Sequence, residues 1–237
     1  MSELSTTKDV EELIHKLRKI GIEGLVLDLS QNGGGLLSEA TELTGLFIRK
    51  GPVVQVRDTT GQIRRDWDNN HKVAYDGPLA VLVSRRSASA SEIVAGALQN
   101  HRRAVIVGDA ATHGKGTVQA IFELGRSSNS NRFLRKARGK FGAAKITVQK
   151  FYLPNGYSTQ SKGVRSDVPI PSINDFLPIG ESDLPNALVW DAIDPLDWNP
   201  QDTLTSGVVH IDDNLIDYLR EMSGRRVEGL EEFTYLK

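Results

Sequence analysis

The strongest structural signal in the chain is residues 24–35, which read Gly24-Leu25-Val26-Leu27-Asp28-Leu29-Ser30-Gln31-Asn32-Gly33-Gly34-Gly35. The near-continuous apolar run has the length of a strand, and such runs are typical of buried strands in parallel sheets. The asparagine and the three glycines that follow predict a tight turn. Apolar residues then recur at helical spacing, at Leu36, Ala40, Leu43 and Phe47. Residues 24–47 are therefore predicted to form a strand, a glycine turn and a helix, the repeating unit of α/β folds.

A second unit of the same kind lies further along the chain. Pro78 to Val83 is another apolar run, and Ser87 to Asn100 predicts a helix with a serine-rich start. An amphipathic first helix is predicted at residues 7–20. Four more strands are predicted at residues 52–57, 61–67, 104–107 and 116–124. We predict a layered α/β core over residues 1–195, followed by a small acidic extension, mostly helical or irregular, over residues 196–237.

The composition of the 237 residues is that of an ordinary globular protein. The 29 Lys and Arg nearly balance the 30 Asp and Glu, which disfavours a globally basic nucleic-acid binder. The absence of cysteine excludes disulfides, thiolate metal sites and a cysteine nucleophile. No apolar run approaches the roughly 20 residues that a membrane-spanning helix needs. The polar residues Met1 to Asp9 do not predict a signal peptide.

Cofactor and metal motifs are tested by spacing, and none fits. After the first strand, the third glycine of a dinucleotide fingerprint would fall on Ser38. In residues 108–117 the lysine of a P-loop would be followed by Gly116, where the motif needs a hydroxyl residue. The five histidines are scattered without metal-ligand spacing. We therefore predict no cofactor and no metal.

Charge is segregated along the second half of the chain. Residues 124–166 carry ten basic and no acidic side chains, whereas residues 167–237 carry four basic and fifteen acidic ones. The simplest interpretation is a solvated basic loop and an acidic tail that partly neutralise each other. A sharper hypothesis is that the tail docks on the basic loop around Arg135 to Lys140. Since Phe133 and Phe141 alone interleave with those cations, a nucleic-acid surface is disfavoured.

A run of small residues, Ser87-Ala88-Ser89-Ala90-Ser91-Glu92, lies between the predicted strand and helix of the second unit. Nucleophilic serines often occupy such turns, because the N-H groups of the helix start can stabilise an oxyanion. Helix capping by one of the serines is the ordinary alternative.

A serine nucleophile needs a base, and a desolvated neutral lysine can serve. Lys115 lies in a loop with a glycine on either side, and alternation along the following strand places it on one face with Thr117 and Gln119. Gln119 could then orient the amine. His113, in the same loop, is a weaker candidate base.

Four ordered motifs resemble those of the C-terminal processing peptidases, also called tail-specific proteases, a serine peptidase family with a Ser/Lys pair. They are residues 24–35, the serine run 87–92, the segment Gly114-Lys115-Gly116-Thr117-Val118-Gln119, and Gln149-Lys150-Phe151-Tyr152 with the residues up to Asp167. The resemblance extends over about residues 8–195 and is closest to the periplasmic tail-specific protease branch.

This resemblance implies a role for particular residues. Ser89 would be the nucleophile, Lys115 the base and Gln119 an assisting residue, with Ser87 and Ser91 in support. The backbone N-H groups of Gly35 and Ala90 would form the oxyanion hole. The resemblance further implies a crotonase-like α/β peptidase core, polypeptide substrates with exposed C-termini, and a location in the periplasm or cell envelope.

The sequence departs from the family pattern in two respects. Family members usually carry a PDZ domain before the core, for which the residues ahead of the first core strand leave no room. The loop Asp109 to His113 is also one residue longer than the family pattern, which could displace Lys115. A catalytically silent module that binds polypeptide along a sheet edge near Lys150 to Tyr152 therefore stays open, as does a fragment that needs its PDZ domain, whereas a crotonase-type acyl transferase is disfavoured. The oligomeric state is left open.

Overall fold

The computed structural model of the chain describes residues 5–124, 142–204 and 210–236. The helices are α1 (Thr6–Lys19), α2 (Leu37–Gly45), α3 (Ala90–Asn100) and α4 (Asp213–Gly229). The strands are β1 (Leu25–Asp28), β2 (Gly51–Asp58), β3 (Ile63–Asp68), β4 (Leu79–Val83), β5 (Val105–Gly108), β6 (Thr117–Glu123), β7 (Ala143–Tyr152) and β8 (Val168–Pro169). Short 3-10 helices occur at Ile173–Phe176, Glu181–Asp183, Pro200–Thr203 and Glu231–Leu236. The predicted α/β class is confirmed, and the C-terminal extension is helical or irregular as expected.

A parallel sheet in the order β1-β4-β5-β8 carries the two predicted strand-turn-helix units. Leu25 pairs with Leu79 at the start of β1, and Asp28 pairs with Leu82 at its end. The helices α2 and α3 pack against each other, and they form the main core together with residues of this sheet and of strand β2. Because the strands are parallel, the glycine turn after β1 and the serine run after β4 emerge at the same edge.

The first strand of the parallel sheet was predicted to be fully buried, but its outer face is partly exposed. Val26 in β1 is 64% exposed. The reason is that α4 covers only the far side of the sheet, where Val105, Val168 and Ile216 form a second small core. An apolar cavity of about 620 Å³ is left on the β1 side of that face. The predicted helix residue Leu36 is likewise exposed, because α2 begins one residue later.

A second, antiparallel sheet has the order β3-β2-β7-β6. The treatment of residues 124–166 as a basic loop was wrong for Ala143–Tyr152, which forms the ten-residue strand β7. This strand pairs with both β2 and β6, and such long-range pairing overrides its weak alternation and its two lysines. The predicted docking loop around Arg135 to Lys140, with Phe133 and Phe141, lies outside the described residues.

The acidic part of the chain contacts the basic part at several described positions, and Asp191 makes the densest of these contacts. Asp191 accepts hydrogen bonds from Arg57 at 2.5 Å, from Lys150 at 2.6 Å and from the hydroxyl of Tyr152 at 3.1 Å. The two cations hold the pKa of Asp191 below its ordinary value against the opposing effect of burial. This cluster fastens the segment that follows the parallel sheet onto the antiparallel sheet. In the described ranges no helix is long and apolar enough to cross a membrane.

Candidate active site

Ser89 occupies a sharp turn between β4 and α3. Its backbone has φ 57° and ψ −114°, a region that residues other than glycine rarely adopt and that costs roughly 1 to 3 kcal/mol. Ser89 is the N-cap residue of α3, and the Glu92 side chain accepts its N-H at 2.8 Å, the contact that defines one half of a capping box. Ser89 also lines a cavity at the helix start, which is where nucleophilic serines occur in strand-to-helix turns.

The serines on either side of Ser89 join its turn to the glycine turn. Ser87 Oγ donates to the carbonyl of Leu29 at 2.7 Å, and Ser91 Oγ donates to the carbonyl of Asn32 at 2.8 Å. The N-H of Ala88 reaches the same Asn32 carbonyl at 3.2 Å. The two turns are thus fixed against each other; the supporting role expected for Ser87 and Ser91 stays a prediction.

The glycine turn approaches Ser89 so closely that it excludes side chains. Gly34 has φ +103°, and a Cβ atom placed there would lie 2.8 Å from Ser89 Cβ and 3.1 Å from the Ala90 nitrogen. The N-H of Gly34 donates to Asn32 Oδ1 at 2.9 Å. Across the described residues, neither Gly35 nor Ala90 donates its backbone N-H to an acceptor. Two N-H groups are therefore available beside Ser89, where an oxyanion hole is expected.

Lys115 lines the same cavity as Ser89. The backbone of the loop before it is tied down at His113, whose N-H donates to the Ser87 carbonyl at 3.0 Å. The Lys115 amine donates to Gln119 Oε1 at 3.3 Å, although a bulge after Val118 interrupts the alternation assumed for this strand. Among the described atoms no hydrogen bond joins Lys115 Nζ to Ser89 Oγ, as is common before substrate binds.

Ser89, Lys115 and Gln119 line one cavity of about 220 Å³, together with Gly35 and Ala90. Burial is the largest influence on Lys115 and lowers its pKa; the nearby Lys145, which also lines the cavity, lowers it further. Glu181 and Glu92 act in the opposite direction. The net effect is a pKa below the ordinary value of lysine, so the neutral amine, the form that can accept a proton, is easier to reach than in an exposed lysine.

Glu92 is a site residue whose role the sequence analysis missed. Its fully buried carboxylate accepts four hydrogen bonds, from the N-H groups of Ser89, Gly114 and Lys115 and from the Thr112 hydroxyl, at 2.6 to 2.9 Å. It therefore fixes the backbones of the serine and the lysine to a single group. Burial raises the pKa of Glu92 to about 7, and the four donors oppose that rise. The spacing Ser89-x-x-Glu92, typical of a capping box, could have indicated the contact with Ser89 but not the other three.

The remaining candidates have other surroundings. His113, the weaker candidate base, faces Glu181 with 3.8 Å between Nδ1 and Oε2, and it does not line the cavity of Ser89. In the parts of the chain that the structure describes, no group of three or more His, Asp or Glu could hold a metal ion.

Comparisons with protein-family models divide the chain into two matched ranges. Residues 1–170 match peptidase family S41, and residues 174–237 match the C-terminal domain of tail specific protease (DUF3340). The site residues identified above all lie in the first range. The proposed boundary near Pro195 remains a prediction.

Curated relatives agree with these matches. A tail-specific protease of Haemophilus influenzae is 41% identical over 233 residues, which cover 98% of this chain and 32% of that protein. A chloroplastic carboxyl-terminal-processing peptidase 2 of Arabidopsis thaliana is 37% identical over 164 residues, covering 68% of this chain and 29% of that protein. The chain thus spans about a third of the length of these relatives.

A solved structure extends the likeness to three dimensions. The photosystem II D1 C-terminal processing protease superposes with a TM-score of 0.58 at 32% identity, covering 70% of this chain and 39% of that one. The family match covers more than half of the chain, and the four motifs meet at one site. The chain therefore belongs to peptidase family S41.

Proposed function

We propose that the chain is the catalytic core of a serine endopeptidase in which Ser89 is the nucleophile and Lys115 the general base. One observation carries the proposal: a strained serine turn, a lysine amine whose pKa is lowered and two N-H groups without acceptors share a single cavity. Acyl transfer from a peptide requires these three groups together.

The proposed reaction begins when neutral Lys115 takes the hydroxyl proton of Ser89. Ser89 Oγ attacks the carbonyl carbon of the scissile peptide, and the electron pair of the C=O bond moves to its oxygen. The Gly35 and Ala90 N-H groups donate to that oxyanion. As the C-N bond breaks, protonated Lys115 returns its proton to the leaving amine, which yields an ester with Ser89.

Hydrolysis of the ester repeats these steps with water as the nucleophile. Lys115 takes a proton from the water as its oxygen attacks the ester carbonyl, and then gives that proton to Ser89 Oγ when the acyl group leaves. Gln119 accepts a hydrogen bond from the amine and is proposed to aim it during both halves. All steps are proton transfers and acyl transfers that the chain's own groups can perform.

The proposed substrates are unfolded polypeptides or proteins with exposed C-terminal tails. The relatives named as tail-specific and carboxyl-terminal-processing enzymes support this class. A location in the periplasm or cell envelope is proposed on the same basis. Since the chain spans about a third of those relatives, these statements concern the whole protein of which such a core is part.

The test compares cleavage of a loosely folded reporter by the chain and by three variants, Ser89→Ala, Lys115→Ala and Lys115→Arg. Arginine keeps its proton in proteins, so Lys115→Arg is expected to be as inactive as Ser89→Ala. Lys72→Arg, at an exposed position remote from the cavity, is the matched control and should retain full activity. Turnover by Lys115→Arg would refute the base assignment, and turnover by Ser89→Ala would refute the nucleophile.

A second substrate separates chemistry from polypeptide recognition. p-Nitrophenyl acetate needs no tail-binding site, and acylation of Ser89 should release a burst of p-nitrophenol. A burst without reporter cleavage would point to a competent centre that needs further parts of the protein to hold polypeptide. Absence of both would favour a silent, peptide-binding relative.

A further inference from the structure

The loop that carries Lys115 is held in part by the region that follows the parallel sheet. Glu181 lies in a 3-10 helix within residues 174–237, the range that matches the C-terminal-domain family rather than the peptidase family. Its side chain is only 14% exposed and points toward the loop. This position is independent of the four motifs that identified the catalytic residues.

Glu181 is bonded to the loop on both sides of Lys115. On the N-terminal side, its backbone N-H donates to the His113 carbonyl at 2.8 Å. On the other side, its Oε1 accepts from Gln160 Nε2 at 3.1 Å, and Gln160 Oε1 in turn accepts the Gly116 N-H at 2.9 Å. Gln160 is fully buried, so this bridge is shielded from competing water.

The charges around the loop are mixed. Lys115 is influenced by Lys145, which lowers its pKa, and by Glu181 and Glu92, which raise it. Glu181 Oε2 also faces His113 Nδ1, which is buried and has no hydrogen-bond partner within the described ranges. Burial lowers the pKa of His113, and Arg85 and Lys115 lower it further, against Glu181 and Asp183. Glu181 is thus the acidic group shared by the lysine and the histidine.

We propose that Glu181 is a positioning residue for Lys115, through which the C-terminal region sets the geometry of the peptidase centre. The inference rests on the proposed function, since it concerns the placement of the general base. The backbone bond to His113 and the bridge through Gln160 fix the two ends of the loop, and the amine of Lys115 is aimed accordingly. A shift of about 1 Å in such a group can lower turnover about 100-fold.

Two substitutions of Glu181 separate its hydrogen bond from its charge. Glu181→Ala removes the bridge to Gln160, so we expect kcat to fall about 10- to 100-fold with little change in KM. Glu181→Gln keeps an oxygen for Gln160 and should hold the plateau of kcat within about threefold of the parent. Glu181→Gln also removes a charge that raises the pKa of Lys115. The acid limb of its profile of kcat against pH should therefore move to lower pH, by about half a unit. Ser182→Ala, at the exposed next position, is the control.

Amide hydrogen exchange supplies a measurement that needs no turnover. The Gly116 N-H should exchange at least about 10-fold faster in Glu181→Ala than in Ser182→Ala, because its acceptor Gln160 has lost its partner. Parent-level kcat and exchange in Glu181→Ala would overturn the inference, as would an equal loss of kcat in Glu181→Gln without a pH shift. If the parent chain gives neither reporter cleavage nor a p-nitrophenol burst the proposed function fails, and exchange at Gly116 still decides whether Glu181 holds the loop.

Discussion

Replacing Gly34 by alanine tests whether contact between the glycine turn and Ser89 builds the oxyanion hole. The new Cβ would lie 2.7 Å from the Ala88 carbonyl oxygen and 2.8 Å from Ser89 Cβ. Carbon atoms in good contact are about 3.5 Å apart, so the turn must retreat by about 0.7 Å. Since these neighbours are backbone atoms and the Cβ of Ser89, the proposed nucleophile, they cannot rotate aside.

The consequence for catalysis follows from the tolerance of an oxyanion hole. Its donors act at about 2.7 to 3.1 Å from the oxyanion, and losing one costs about 100- to 1000-fold in kcat. A retreat of this size moves the Gly35 N-H out of range, and we expect a loss of that order in Gly34→Ala. The φ of +103° adds roughly 1 to 3 kcal/mol of strain, which should appear as a lower free energy of unfolding.

Two quantities are measured: kcat for the reporter and the size of the p-nitrophenyl acetate burst. Both are measured under conditions in which far-ultraviolet circular dichroism shows that Gly34→Ala and its control are folded. Gly33→Ala is the matched control, because a Cβ there meets no atom within 4 Å and the backbone is not in the positive-φ region. Activity of Gly34→Ala within about threefold of Gly33→Ala would refute the placement of the oxyanion hole, since the predicted loss is far larger.

Three further predictions concern buried and charged groups. Glu92→Gln keeps one acceptor oxygen, so two of the four donors would face its NH2 group. We expect the free energy of unfolding from urea titrations to fall by about 2 to 4 kcal/mol, with a large loss of turnover. Lys145→Gln removes a charge that lowers the pKa of Lys115, so the acid limb of kcat/KM should move up by about half a pH unit, whereas Lys145→Arg should leave it in place. Burial lowers the pKa of His101 to about 4, so the folded state binds fewer protons than the unfolded chain and stability should fall between pH 6.5 and 4. The contribution is about 3 kcal/mol, and it should be absent from the curve of unfolding free energy against pH of His101→Gln; equal slopes in the two proteins would contradict it.

The fold was predictable where the local pattern and the tertiary structure agree. Residues 24–29 read as a parallel strand because apolar residues dominate on both of its faces, and the strand is parallel. The same pattern could not show that Val26 would stay exposed, because burial depends on where α4 lies. The strand β7 escaped detection since its pairing with β2 and β6 comes from distant parts of the chain.

The candidate site was predictable in its residues but not in its contacts. Ser89, Lys115 and Gln119 fall in motifs whose order along the chain is specific, and the structure brings them to one cavity. A sequence does not state which backbone N-H groups converge on Glu92, because three of its four donors lie 20 or more residues away. Glu181 was hidden for the same reason, since it belongs to none of the motifs.

The backbone of Ser89 has a consequence for relatives that have given up catalysis. Serine occupies φ 57° in this chain although glycine would adopt this conformation without steric cost. Once turnover no longer matters, drift should favour glycine, the residue that relieves the strain. Glycine at this position in a homologous chain would therefore mark a lineage that has kept the fold and lost the chemistry, and Ser89→Gly should unfold at a higher temperature than Ser89→Ala.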